Sequence, residues 1–315
     1  IVLYSPATSS LNLGDHVIAE AAKKEIGPFL QDAFVSEIST HLPLSWYYMR
    51  HFKSFDYRFV LGSNLLKSTF FGFKRQWNIT LRMFKLAGPV VLVGAGWWQY
   101  GNKPNLYTKI LLRSYLSKDH IHSVRDEYTK RVLNEMGIMN VVNTSCPTMW
   151  SLTPEHCSEI KKEKSSTVVF TLTDYAKDYE SDKFLIETLL RNYKKVIFWP
   201  QGAKDDEYFS ELNVKSSNLE VISPSLKSFD KLLQNGDIDY VGTRLHGGVR
   251  ALQHKIRTLI IGVDNRAEEK KRDFNIPVLT RKNISSLDEV VSNSYSTEII
   301  IPIDMINTWK AQFQL

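Results

Sequence analysis

The sequence predicts an α/β protein made of two Rossmann-like domains facing a cleft. Short apolar runs alternate with amphipathic stretches of about ten to fifteen residues, the pattern of βα units around a parallel sheet. The alternation lapses once, where the chain turns polar after Cys146-Pro147 and passes through KKEKSS at 161–166, and then it restarts. A chain of 315 residues is also long for one core and comfortable for two.

In the first half the expected strands are 1–5, 57–62, 89–95, 121–124 and 140–145, with helices near 15–26, 105–117 and 127–136. In the second half they are 167–173, 195–201, 219–223, 239–243 and 258–264. Helices fall near 181–193, 205–212, 226–234, 245–254 and 266–272. The expected division is a domain over 1–150, a second over 151–295, and a final helix over 296–315 that packs back across the hinge.

Composition narrows the function classes. Apolar residues make up 43% and charged residues 23%, an ordinary globular balance that argues against disorder. The net charge of +6 suits anionic small molecules, an acidic membrane surface or nucleic acid without choosing among them. The two cysteines, Cys146 and Cys157, form neither a CxxC nor a His/Cys cluster, so neither a disulfide framework nor a zinc site is expected. The strand-like opening IVLYSP lacks a basic n-region, and no apolar run approaches a membrane span. A reduced, cytoplasmic setting is the expectation.

Ligands of open α/β sheets bind beyond the carboxyl ends of strands, where helix N-termini present unpaired N–H groups and a positive dipole end. Three turns there carry chemistry. In SSLNLGDH (9–16), Asn12, Gly14 and Asp15 precede a helix; Gly14 permits positive φ, and Asp15 caps the helix or accepts a proton. In SVRD, Arg125 and Asp126 close a strand and open a helix, with a cap and a surface ion pair as the plain alternatives. In TRLHGGVRA (243–251), Arg244 offers a planar fork for phosphate or carboxylate and His246 a proton near neutral pH. Gly247 and Gly248 would let the backbone approach a ligand.

Other motifs fail. GAGWWQ (94–99) has Gln99 in place of a third glycine, and Asn102 stands where a P-loop needs lysine. Neither GxSxG nor HExxH occurs. Gly94 and Gly96 read as a close-approach loop whose Trp97 and Trp98 either floor a sugar face or pack in the core. Nothing resembles an RRM, helix-turn-helix or zinc finger, so no specific nucleic acid is expected as a partner.

NLGDHVI, VLVGAGW, SVRDEYT and above all GTRLHGGVRALQHKIRTLIIGVDNR, in this order and spacing, resemble the polysaccharide pyruvyl transferases over most of the chain. The resemblance implies a GT-B-like architecture with an acceptor-side first domain and a donor-side second domain. It implies transfer of the enolpyruvyl-derived group of phosphoenolpyruvate to two sugar hydroxyls as a cyclic ketal, with no cofactor and no metal. It makes Arg125 and Arg244 the donor's anion-binding arginines, with Gly247 and Gly248 beside them. His246 then matches a catalytic or phosphate-contacting histidine and is the candidate acid, with Asp15 the candidate base. Asn12, Gly94, Gly96, Trp97 and Trp98 are left for the acceptor, and Lys270-Lys271 approximates a further basic position. A nucleotide-sugar glycosyltransferase on the same scaffold is the alternative.

Residues 65–88 hold five cations, no acid and five aromatic rings. Such a segment suits peripheral contact with an anionic membrane, as a lipid-linked acceptor would require; the plainer reading is a helix packing its rings onto its own domain.

Overall fold

The computed structural model describes residues 1–45, 47, 50–51, 54–71, 76–98 and 100–313. The chain forms two compact units. The first comprises Ile1–Ser10, Asp15–Trp150 and Ile301–Leu315; the second comprises Leu11–Gly14 and Ser151–Ile300.

In the first unit, β1 (Val2–Ser5), β2 (Ser36–Ser39), β3 (Arg58–Leu61) and β4 (Val91–Val93) form a parallel sheet in the order β2-β1-β3-β4. β5 (His122–Val124) pairs with β6 (Val141–Asn143), and a parallel bridge from Ala95 to Val124 joins β5 to the chain leaving β4. β1, β3 and β4 are buried along their whole length, as expected of parallel strands covered on both faces. Helix α1 (Leu13–Glu25) follows β1, α2 (Leu106–Tyr115) follows β4, and α3 (Glu127–Glu135) follows β5. Asn105 starts α2 by accepting the Thr108 N–H at 2.8 Å, and Asp126 starts α3 by accepting that of Thr129 at 2.7 Å. Thr108, Leu111, Leu112 and Tyr115 share the inward face of α2, spaced i, i+3, i+4, i+7.

Residues 65–88 are not one helix. The short helical pieces within them are Leu81–Met83 and Phe84–Ala87. Phe70 and Trp77 lie in the first unit's core and Phe84 packs against it, which removes three of the five rings from any membrane-facing role. Gly72, Phe73, Lys74 and Arg75 lie outside the described residues. The C-terminal helix α9 (Ile303–Ala311) belongs to this unit: Trp309 is buried against Trp150, and the Gln312 amide holds both the N–H and the carbonyl of Ile121.

The second unit is one six-stranded parallel sheet made from β7 (Thr167–Phe170), β8 (Lys195–Phe198), β9 (Leu219–Val221), β10 (Ile238–Gly242), β11 (Arg257–Gly262) and β12 (Val278–Thr280). Its order, β12-β11-β10-β7-β8-β9, reverses between β7 and β10. The labelled helices here are α4 (Tyr179–Asn192), α5 (Asp205–Glu211), α6 (Leu226–Leu233), α7 (Leu245–Gln253) and α8 (Asn265–Phe274). Phe170, Phe198, Val241 and Leu259 from four strands pack with Leu185 and Leu189 of α4 to form its core. The edge strands β2 and β12 are additions to the elements expected from sequence.

Candidate functional site

The strand order of the second unit reverses between β7 and β10, and sheets of this kind bind ligands beyond the carboxyl ends of the strands at such a point. Arg244 and His246 sit there, on the turn that leads from β10 into α7. The guanidinium of Arg244 is almost fully buried. Its Nε donates to the Leu172 carbonyl at 2.9 Å and to Asp205 Oδ2 at 3.0 Å. Its Nη2 donates to Asp174 Oδ1 at 2.7 Å and also to Asp205 Oδ1. Burial works against the charge, and the adjacent Asp205 carboxylate outweighs it, so the Arg244 pKa is raised and the side chain stays cationic. Asp205 is held by the N–H groups of Gly202 (2.7 Å), Gln201 (3.1 Å) and Asp174 (3.2 Å). Arg244 therefore ties together the turns after β7, β8 and β10. Nη1 is its one edge without a hydrogen bond among the described residues.

His246 lies in the first turn of α7, largely buried. The two glycines after it serve packing. A Cβ on Gly247 would lie 2.8 Å from the Tyr240 hydroxyl, and one on Gly248 would lie 2.5 Å from Ile260 Cγ1. They let α7 settle onto β10 and β11. The Gly248 N–H bonds the Arg244 carbonyl at 3.1 Å, so of the two it is the Gly247 N–H that precedes the helical ladder.

Three residues that sequence reading did not single out complete this site. Tyr175 is exposed and lies under both Arg244 (5.0 Å) and Arg266 (5.7 Å). Arg266 opens α8, its Nε donating to Asp264 Oδ2 at 2.8 Å and its Nη2 bonded to the Tyr175 hydroxyl. Gln201 donates its amide to Asn12 Oδ1 at 3.0 Å, and the Leu13 N–H reaches the Gln201 carbonyl at 3.0 Å. Asn12 thus belongs with the 201–203 turn of the second unit, not with the first domain where an acceptor role had been expected for it. Gly14 is helical rather than in the positive-φ region, and its missing side chain makes room for Gln201, 2.9 Å from where a Cβ would be. The signal for Asp205 and Gln201 was the QGAKDD turn after β8, which carries both a glycine and paired acids.

In the first unit the strand order reverses between β1 and β3. Asp15, in the first turn of α1, accepts the hydroxyl of Ser10 at 2.7 Å from the turn after β1 and that of Ser63 at 2.9 Å from the turn after β3. It is therefore a carboxylate held at a switch point by two serines. Arg125 is buried. Its Nη2 is bonded to Asn64 Oδ1, and its Nε is 3.4 Å from Asp126. Gly96 is small because Arg125 crosses it: a Cβ there would lie 2.0 Å from Arg125 Nε. Gly94, at φ +67°, presses against Pro147, which a Cβ would approach to 2.2 Å. Trp97 is buried in the core cluster, its N–H held by Thr129 at 2.9 Å, so it floors no sugar. Trp98 is partly exposed, with the Lys67 ammonium 4.9 Å from its ring centroid.

Among the described residues, no group of three or more His, Cys, Asp or Glu is arranged to hold a metal ion, and no helix is long and apolar enough to cross a membrane.

The fold resembles that of UDP-GlcNAc 2-epimerases. The Methanocaldococcus jannaschii enzyme superposes with a TM-score of 0.57 at 12% identity, covering 99% of this chain and 98% of that one. The Neisseria meningitidis enzyme bound to UDP-GlcNAc gives 0.51 at 13% identity, covering 99% and 97%. S. aureus MnaA with UDP gives 0.52 at 9% identity, covering 94% and 90%. At such identities the likeness establishes the GT-B-like fold alone. No curated protein matches by sequence. The family model described as polysaccharide pyruvyl transferase matches residues 12–265, most of the chain. The chain belongs to the polysaccharide pyruvyl transferase family and is a transferase enzyme.

Proposed function

We propose that the enzyme moves the enolpyruvyl-derived group of phosphoenolpyruvate onto two hydroxyls of one sugar, in a surface polysaccharide or its lipid-linked precursor, and releases phosphate. The observation that carries this reading is the combination, at the β7/β10 switch point, of a helix N-terminus with Arg244 and His246. The first intrahelical bond of α7 runs from the Gly248 N–H to the Arg244 carbonyl at 3.1 Å, so the N–H groups of Leu245 and Gly247 precede it and suit an anion. The cationic Arg244 guanidinium adds a charged donor, and Arg266 supplies a second cation across Tyr175. A donor carrying both phosphate and carboxylate matches two cations better than one.

His246 protonates the methylene carbon of the donor, leaving an oxocarbenium-like centre at the adjacent carbon. A first sugar hydroxyl adds there and loses its proton. Phosphate then departs, and the second hydroxyl closes the ketal and loses its proton in turn. Of the two protons released, one restores the acid and the other leaves with phosphate. Asp15, fixed by Ser10 and Ser63, is the proposed base for a hydroxyl, and Arg125 completes the proposed anion-binding set. The backbone at Gly94 and Gly96, the Trp98 face and Asn12 are the proposed acceptor contacts. No cofactor beyond the donor enters the scheme. A lipid-linked acceptor would bring the enzyme to the cytoplasmic face of a membrane.

A second reading, transfer from a nucleotide sugar, is favoured by one observation: the fold resembles epimerases solved with UDP or UDP-GlcNAc. Calorimetry decides between them. The proposal expects heat of binding with phosphoenolpyruvate and none with UDP at matched concentrations; the reverse result would replace it.

A further inference from the structure

Residues 57–118 contain ten lysines and arginines and no aspartate or glutamate. The whole chain has 40 cations and 34 acids, so the rest of the molecule carries an excess of acid and the basic character is concentrated here. Helix α2 lies inside this stretch, and its outward face is unusual. Leu106 is 73% exposed and Ile110 47% exposed. With Lys109 and Arg113 they recur at i, i+3, i+4 and i+7, which places all four on one stripe opposite the buried Leu111, Leu112 and Tyr115. Phe71, 60% exposed, packs tilted against Tyr107 with ring centroids 4.3 Å apart and extends the apolar surface. Lys103 is exposed at the start of the helix, and Arg82 is exposed on the short turn that the Tyr115 hydroxyl ties to α2 through the Thr80 carbonyl. Among the described residues, no carboxylate pairs with Arg82, Lys103, Lys109 or Arg113.

We propose that the outward face of α2, with Phe71 beside it, docks the enzyme on an anionic lipid surface. Charge complementarity calls for a polyanion, and the aliphatic side chains choose among polyanions. Leu106, Ile110 and Phe71 gain nothing from a nucleic-acid or glycan phosphate backbone, whereas in a bilayer they bury apolar area between headgroups while the flanking cations stay at the phosphate level. The inference rests on the proposed lipid-linked acceptor for its purpose, not for its chemistry. It also moves the contact from the core-facing rings Phe70 and Trp77 to residues that reach solvent.

The test is flotation of the full chain with phosphatidylcholine vesicles, with and without phosphatidylglycerol, at low salt. Capture is expected only with phosphatidylglycerol. Lys109→Gln/Arg113→Gln should weaken it by roughly twenty-five-fold, each cation contributing about fivefold. Leu106→Ser/Ile110→Ser should weaken it by about tenfold or more with charge unchanged. Circular dichroism and thermal melts confirm that each variant folds, and calorimetric affinity for phosphoenolpyruvate should be unaltered in both. No capture of the wild type, or equal capture of the Leu106→Ser/Ile110→Ser protein, would overturn the proposal, as would full displacement by a duplex oligonucleotide. Vesicle capture by a protein that binds no phosphoenolpyruvate would leave docking intact and remove only the donor assignment.

Discussion

Arg244 and Asp205 form a two-point ion pair away from solvent, joining the turns after β10 and β8. The pair explains why arginine is needed at this position before any ligand arrives: Nε and Nη2 hold carboxylates and a carbonyl, and Nη1 carries no hydrogen bond among the described residues. Lysine offers a point charge and cannot reproduce the planar fork. Arg244→Lys is expected to lower kcat/KM by at least about tenfold, or about 1.4 kcal/mol in the transition state. Asp205→Ala should lower stability by about 3–5 kcal/mol, because it leaves a buried guanidinium without its main partner. Steady-state kinetics and urea denaturation read the two effects, and wild-type values in both would remove Arg244 from the site.

His246 is the proposed acid, so its loss should appear in turnover before it appears in binding. His246→Gln is expected to lower kcat by about a hundredfold or more while leaving the donor dissociation constant within a few-fold. A loss of donor affinity with kcat intact would make the residue an anion ligand instead.

The two tight glycines should respond in different observables. In Gly96→Ala the new methyl meets Arg125 Nε at 2.0 Å, so the guanidinium must leave Asn64, and activity should fall together with stability. In Gly248→Ala the methyl meets Ile260 at 2.5 Å, and the expected result is a stability loss of about 1–3 kcal/mol from overpacking. Thermal melts and kinetics on both proteins check the distinction.

His122 sets a pH dependence unrelated to catalysis. Burial pushes its pKa down to about 4, against the pull of the Ser117 carbonyl. Its Nδ1 accepts the Leu92 N–H at 3.2 Å, so the folded protein wants the neutral ring. The unfolded chain takes up a proton near pH 6.5 and the folded one near pH 4, so stability is full above the unfolded pKa and declines as pH falls between them. The slope approaches about 1.4 kcal/mol per pH unit, for a total of about 3 kcal/mol. Urea titrations across that window should show this slope, and in a His122→Asn protein, already less stable, the contribution should vanish.

Much of this architecture is legible in the sequence because parallel strands buried on both faces appear as apolar runs, such as VLV at β4 and LIIG within β11. The two edge strands escape that logic. SEIS at β2 and VLT at β12 are short, and partner backbones define them more than their own side chains do. The candidate site is legible only in part. A turn sequence announces Arg244 and His246, but their environment comes from residues far along the chain: Asp205 lies 39 positions before Arg244. Nor does composition reveal which way a ring points. Trp97 and Trp98 are adjacent, yet the first is core and the second reaches solvent. Gly247-Gly248 shows the same ambiguity, since a glycine that admits a ligand and one that admits a strand side chain look alike in sequence.

The most direct measurement of the central claim is product formation. The enzyme is incubated with phosphoenolpyruvate labelled at its methylene carbon and a panel of glycans, with free phosphate assayed and the carbon followed by NMR. The account predicts that the vinyl signal is replaced by a ketal methyl signal on the glycan, one phosphate being released for each ketal formed. Phosphate release with free pyruvate alone across the whole panel, or glycosyl transfer from a nucleotide sugar with the donor untouched, would contradict it.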